Sequence, residues 1–177
     1  EMPANLRWIR FWDLASGVKE LVKDDPDSSA GAKVAVRKEK GLWHLYVDDF
    51  VFCQAEAPER NRLIESTAIR DGASVLIGVE SVAGYKDTYS IMKRVLAGRF
   101  TVVKINVSRD KVVRAGEVAP LFDVGNVHFR KAWWNKQVIE QIGEFPSGRH
   151  DDYVDALAGG YAMAISNVAG SRAILAT

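Results

Sequence analysis

The stretch Arg7-Trp8-Ile9-Arg10-Phe11-Trp12-Asp13-Leu14-Ala15 decides how the rest of the chain is read. Bulky apolar and aromatic residues fill most of its positions, which is β-strand composition. Near its end stands Asp13, one acid among apolar neighbours. An ionised carboxylate is costly to bury unless it is paired or coordinates a metal. Two later stretches repeat the pattern. Val75-Leu76-Ile77-Gly78-Val79-Glu80 is a second apolar strand ending in an acid, and His150-Asp151-Asp152-Tyr153-Val154-Asp155-Ala156-Leu157 crowds acids at the start of a helix. Taken singly, each acid reads as a capped loop or a solvated edge. Three in this order point to one shared site.

The chain of 177 residues is long enough for one domain with a sizeable core, and its 47% hydrophobic content argues against disorder. A net charge of +1 announces no polyanion partner in bulk, so nucleic-acid binding would have to use a local basic patch. A single cysteine, Cys53, excludes an intrachain disulfide and is compatible with a reducing compartment. No run approaches the roughly 20 apolar residues of a membrane span, and no signal-peptide pattern opens the chain. Its start, Glu1-Met2-Pro3 followed almost at once by a strand, reads as an excised domain.

In order, the pattern predicts a polar loop over 16–29, a strand over 31–39, a turn at 38–41 and a strand over 42–53. The pair Asp48-Asp49 inside that last strand marks a bulge or an exposed kink. Helical spacing follows over 57–71, opened by Pro58-Glu59 and closed by Gly72, with Leu63, Ile64, Thr67 and Ala68 as its apolar stripe. After the strand at 75–80 come a loop at 81–84 and a helix over 85–97 with Tyr89, Met92, Val95 and Leu96 inward. A strand at 100–107, a helix at 110–122 weakened by Pro120, a short strand at 126–129, and helices at 133–142 and 150–166 complete the chain. This gives one folded domain over residues 1–166 and a C-terminal tail over 167–177. Three antiparallel strands followed by strand–helix–strand crossovers imply a mixed sheet with helices on both faces. That is the ribonuclease H-like order: an α/β fold with a five-stranded or slightly larger sheet and the first strand in the middle. On it the first and fourth strands are neighbours, so Asp13 and Glu80 can lie close together, with the start of the final helix at the same edge.

Clustered carboxylates repel one another, and divalent cations remove the conflict. Mg²⁺ and Mn²⁺ favour carboxylate and water oxygens, and two such ions about 4 Å apart can activate a water and stabilise the leaving oxygen of a phosphodiester. Asp13 is the natural bridge, with Glu80 and the final-helix acids completing the two ions. Zinc is disfavoured, since no Cys/His cluster has ligand spacing. On a helical wheel Asp151 and Asp155 lie nearest the face of 154, 158, 161 and 165, the face expected to pack on the sheet, while Asp152 lies well round from it. Acids in a first turn also cap helices and meet the dipole, and His150 reads as a packing or capping residue. Arg109, Lys111 and Arg114 beside a strand end, and Lys86 soon after Glu80, can hold phosphates, although a solvated helix face explains them as well. Trp133-Trp134 reads as core packing rather than a base-stacking platform.

At these residues the chain resembles the C-terminal nuclease domain of the large terminase subunit of tailed bacteriophages. The resemblance rests on Phe11-Trp12-Asp13-Leu14-Ala15, Val79-Glu80-Ser81-Val82-Ala83-Gly84, Asp110-Lys111-Val112-Val113-Arg114-Ala115 and His150-Asp151-Asp152-Tyr153-Val154-Asp155-Ala156-Leu157, the last being the most specific. It implies an endonuclease that cuts concatemeric double-stranded viral DNA during head packaging, with Mg²⁺ or Mn²⁺. The ligands it implies are Asp13, Glu80, Asp151 and Asp152, with Asp155 as a further candidate. It also implies the cytoplasm of an infected bacterial host, and as partners an N-terminal ATPase domain of the same protein, the portal and the small terminase subunit. No GxxxxGK[ST] phosphate loop occurs in this chain, so the motor lies outside it. A Holliday-junction resolvase or transposase-like nuclease of the same fold, and a catalytically silent DNA-binding or docking module, are the competing readings.

Overall fold

The computed structural model describes residues 2–15, 28–80, 86–106, 111–168 and 170. The opening stretch forms β1 (Ile9–Asp13), followed by β2 (Ser29–Glu39) and β3 (Leu42–Cys53). These three pair antiparallel, with Ile9 opposite Val34 and Val36 opposite Leu45. Lys40 and Gly41 make the β2–β3 turn with φ of 47° and 89°, the left-handed geometry that two-residue hairpins favour. The bulge expected at Asp48-Asp49 is present. Lys33 faces Asp49 while Val34 faces Val47, so Asp48 is the extra residue.

The chain then passes through α1 (Ala57–Asp71), β4 (Leu76–Glu80), α2 (Lys86–Val95), β5 (Val102–Ile105), α3 (Lys111–Asp123), β6 (Val127–Phe129), α4 (Asn135–Glu144) and α5 (Asp152–Val168). The sheet has six strands in the order β5-β4-β1-β2-β3-β6. β1–β4, β4–β5 and β3–β6 are parallel pairs, so the expected mixed α/β sheet is found, with β6 as its sixth strand. At that edge His44 Nδ1 and His128 Nε2 lie 3.0 Å apart and stitch β6 to β3. None of the described helices is long and apolar enough to cross a membrane.

Two cores lie on opposite faces of the sheet. Trp12, Leu14, Ile77 and Val79 pack with Ile64, Ala68, Met92 and Leu96 under α1 and α2. Ile9, Phe11, Val34, Leu45, Val47 and Phe50 pack with Val118, Leu121, Trp134, Val138 and the body of α5. On α2 the structure corrects one expected inward residue. Val95 is exposed and Thr88 is buried in its place, because Arg60 of α1 donates to the Thr88 hydroxyl at 2.9 Å and draws that face inward.

Between β1 and α3, α5 is buried nearly all round. Its sheet-facing residues are small. A Cβ on Gly159 would stand 2.3 Å from the Phe11 ring, and one on Gly78 of β4 would stand 2.4 Å from Met163 Sδ. The helix therefore crosses the sheet with no room for a side chain at Gly159. We expect Gly159→Val to lower stability by about 3 kcal/mol or more, since overpacking costs typically 1–3 kcal/mol and the ring has a packed neighbourhood. Thermal melts check this, and a variant melting within 2–3 °C of the parent, about 1 kcal/mol for this length, would refute the close approach.

The adjacent tryptophans part company. Trp134 is 2% exposed, with its ring 5.3 Å from Phe50, whereas Trp133 is 74% exposed. Core packing, expected for both, holds for Trp134 alone.

Candidate active site

Parallel pairing of β1 with β4 sets Trp12 opposite Val79. One residue further, Asp13 and Glu80 stand at neighbouring strand ends, at a strand spacing of about 4.8 Å. Side chains alternate along a strand. Phe11 belongs to the core under α5 and Trp12 to the opposite core, so Asp13 faces α5. On β4, Gly78 lies against Met163 and Val79 belongs to the opposite core, so Glu80 faces α5 as well. Glu80 is 4% exposed and Asp13 is half-buried.

The backbone just past Asp13 is tied down on several sides. The Ala15 N–H donates to Ser29 Oγ at 2.9 Å, and the Ala15 carbonyl accepts from Arg60 Nη1 at 2.8 Å. Because Arg60 also holds Thr88, β2, α1 and α2 all fix the end of β1. Groups held by such supporting bonds keep their geometry better than groups on loops.

The start of α5 reaches the same edge. Asp152 Oδ2 accepts the Ser28 N–H at 3.0 Å, and Ser28 leads directly into β2, where Ala30 pairs with Asp13. The Asp155 N–H donates to the Asp151 carbonyl at 2.9 Å, the first turn of the helix. Gln141 of α4 secures that turn by accepting the Tyr153 N–H at 2.7 Å. Burial, with the Asp152 charge adding to it, pushes the Tyr153 phenol up to about 12, so it stays protonated beside the acids. Across the edge the order is therefore Glu80 on β4, Asp13 on β1, and Asp152 at the head of β2.

The wheel argument is corrected on one point. Asp152 is 6% exposed and Asp155 7%, so both are inward, whereas the wheel turned Asp152 away. The residues 154, 157 and 158 face α3 and α4, where they line a cavity of about 220 Å³ with Val118, Phe122 and Ile142. The sheet is met instead by Gly159, Gly160 and Met163. Asp152 lies one heptad before Gly159, on that same side.

Of the four cations singled out, Arg114 of α3 is the one whose side chain is described. It is 12% exposed, and its Nη2 lies 3.5 Å from Asp155 Oδ1. Its Nε and Nη1 have no hydrogen-bond partner among the described residues. Asp155 is thus engaged by a cation from the helix layer, on the flank of α5. Lys86 and Lys111 open α2 and α3, with only their backbones described, and Arg109 lies outside the described residues. His150 and Asp151, just before α5, are half-buried. Sequence reading missed Ser28, Arg60 and Gln141, because the bonds that fix the site, from the Ser28 N–H, to the Ala15 carbonyl and from the Tyr153 N–H, each involve a backbone group that carries no sequence signal.

Among the described residues, no three His, Cys, Asp or Glu side chains are grouped so as to hold a metal ion. What the fold brings together is a row of carboxylates on one edge and one face. All their donor atoms are oxygens, the set that suits a hard divalent cation.

The chain was compared with known proteins. The family model for the terminase RNaseH-like domain matches residues 10–164. No curated protein sequence matches it. Among solved structures, it is similar to the large terminase nuclease from thermophilic phage G20c with bound zinc, at a TM-score of 0.65 and 12% identity, covering 89% of this chain and 81% of that one. A second structure of the G20c large terminase nuclease gives a TM-score of 0.59 at 12% identity, covering 89% and 82%. At that identity the two structures support the six-stranded architecture, while the family model covers the three stretches that carry Asp13, Glu80 and the acids of α5. The chain therefore belongs to the terminase RNaseH-like domain family.

Proposed function

We propose that this chain is the nuclease domain of a large terminase subunit, a divalent-metal-dependent endonuclease that cuts concatemeric double-stranded viral DNA during genome packaging. The observation that carries the reading is the pairing of β1 with β4, which sets Asp13 beside Glu80 on the face covered by α5, in a chain of this family. Asp13, Glu80, Asp151 and Asp152 would hold Mg²⁺ or Mn²⁺, two ions in all, with Asp13 shared. When bound, such ions supply Lewis-acid stabilisation of phosphodiester oxygens and a nucleophilic water at neutral pH. The chain's own residues orient the site. Arg60 and Ser29 fix the end of β1, Ser28 holds Asp152, and Arg114 lies 3.5 Å from Asp155, which would support the ligands through a hydrogen bond. Asp13, Glu80, Asp151 and Asp152 would supply such a cation with carboxylate oxygens, the donors that Mg²⁺ and Mn²⁺ favour.

The catalytic domain is assigned to residues 1–166 with a tail over 167–177, although α5 itself runs two residues further, to Val168. It works in the cytoplasm of an infected bacterium, beside an N-terminal ATPase domain of the same protein, the portal and the small terminase subunit. Lys86, Arg109 and Lys111 would contact phosphates, which carry no sequence information, so cutting is weakly sequence-specific. A G20c neighbour was solved with zinc. We read the functional metal here as Mg²⁺ or Mn²⁺, because every proposed ligand is an oxygen.

Plasmid cleavage tests the proposal. Nicked and linear products are expected with Mn²⁺ or Mg²⁺, and none with EDTA. The same ions should raise the melting temperature, since a ligand that binds only the folded state stabilises it. Undiminished cutting after exhaustive chelation would remove the metal site, and intact plasmid at every metal concentration would leave a silent DNA-binding module.

A further inference from the structure

We propose that Trp133 is a stacking platform for an unpaired base of the DNA strand that enters the acidic edge. This inference rests on the nuclease reading for its substrate, and on independent geometry for its place. β6 runs parallel to β3, and the Arg130 N–H donates to the Val47 carbonyl at 2.9 Å. The chain after β6 therefore continues toward the end of β3, where Cys53 pairs with Ser29. That is the edge on which Asp13, Glu80 and Asp152 stand.

The link to the site is a short run of rings. The Trp133 indole centroid is 5.6 Å from Phe52, and Phe52 is 5.1 Å from Tyr153. Tyr153 directly follows Asp152. The exposed indole thus ends an aromatic strip that begins at the acid-bearing turn of α5.

The turn that presents it is built rather than loose. Trp134 is 2% exposed and sits edge-on to Phe50 at 5.3 Å and to Phe129 at 6.2 Å. Ala132 and Asn135 exchange hydrogen bonds across the turn, the Ala132 N–H donating to Asn135 Oδ1 and the Asn135 N–H to the Ala132 carbonyl. With its neighbour anchored inward and the backbone fixed, Trp133 is held out at 74% exposure. The exposed indole and the half-buried Phe52 and Tyr153 rings form one contiguous aromatic surface, the kind of patch that marks an interaction site.

Charge points to the occupant. Arg130, Lys131 and Lys136 lie within three residues of Trp133; Arg130, with its side chain 56% exposed, pairs with Asp48, and the Lys136 side chain is 83% exposed. Lys136 lies 3.8 Å from Glu140, a solvent-exposed pair that a phosphate can outcompete. Cations around an exposed aromatic are the pattern of single-strand binding, where bases stack on the ring and phosphates meet the cations. In a duplex the base faces are covered by their neighbours. Only an unpaired base, at an end, a nick or a melted step, offers a face to the indole.

The test reads binding of a labelled mixed-sequence single-stranded oligonucleotide and of a fully paired hairpin of the same length. EDTA is present throughout, so the result does not depend on metal or cutting. For Trp133→Ala, the preference for single strand over duplex is expected to fall about tenfold, in line with base–aromatic stacking. Trp133→Phe should keep most of it, and the quenching of indole emission by the oligonucleotide should disappear in Trp133→Ala. Ile139→Ala, an exposed apolar position on α4, serves as the control and should match the parent. Equal affinities of Trp133→Ala and parent for both DNAs would overturn the platform, even if the parent cuts plasmid normally. So would equal loss on both DNAs, or unchanged DNA binding with lost association to the ATPase part of the same protein. Trp133-dependent single-strand binding in a chain that never cuts would instead uphold the platform and overturn the nuclease reading.

Discussion

Asp13→Asn is expected to cut DNA about 10³-fold more slowly than the parent, or not at all, while folding normally. The substitution keeps the shape and removes the charge at the centre of the carboxylate row. Metal stabilisation of a phosphoryl transition state is worth several kcal/mol, and each 1.36 kcal/mol is tenfold in rate. The strand end itself should stay in place, because its fastening runs through Ala15, Ser29 and Arg60 rather than through the Asp13 charge. Less repulsion among the remaining acids should leave the melting temperature equal or higher. The same plasmid assay separates the acids of α5. Asp151→Ala and Asp152→Ala are expected to be equally crippled. Asp155→Ala, whose carboxylate meets Arg114, should keep partial activity that recovers at high Mn²⁺. Near-parental cutting by Asp13→Asn would refute the shared-ligand assignment, and a dead Asp155→Ala beside an active Asp152→Ala would move the ligand one turn along α5.

The largest loss of stability is expected from Arg10→Ala. Arg10, the second residue of β1, is 1% exposed. Its Nε and Nη2 bond both oxygens of Asp71 at 2.7 and 2.9 Å, Nη2 also meets Asp49 Oδ2 at 2.7 Å, and Nη1 donates to the Gly31 carbonyl at 2.9 Å. One guanidinium thus ties the end of α1 and the bulged part of β3 to the central strand. Removing it leaves Asp71, with a side chain 4% exposed, facing Lys33 at 3.6 Å. Breaking a buried pair from one side costs about 3–5 kcal/mol, roughly 10 °C in melting temperature at this length. Denaturant and thermal melts measure it, and a drop under 2 °C would show that the network is incidental. The double variant Arg10→Met with Asp71→Leu should regain much of the loss, because an apolar pair needs no compensating charge.

Much of this architecture is local physics and is legible in the chain. Alternation over 31–39 and 42–53 made a hairpin, and the Asp48-Asp49 pair marked a bulge or kink in it, since in a regular strand one of two successive acids would turn to the apolar face; the register shows the bulge. Helical spacing over 57–71 matched α1 to the residue. The order of elements put the first strand beside the fourth, and with it Asp13 beside Glu80. Other features depended on partners far away in sequence. A wheel shows which residues of α5 are apolar but not which side meets what. With α5 enclosed by a sheet and a helix layer, Val154 and Leu157 went to α3 and α4, and its glycines to the sheet, where the backbone had to come close to Phe11. That choice turned Asp152 inward. Trp133 and Trp134 are chemically identical neighbours, about 100° apart on any helical path. Phe50 and Phe129 form a slot for one ring, and only the position of β3 relative to β6 decided that Trp134 fills it while Trp133 faces the solvent.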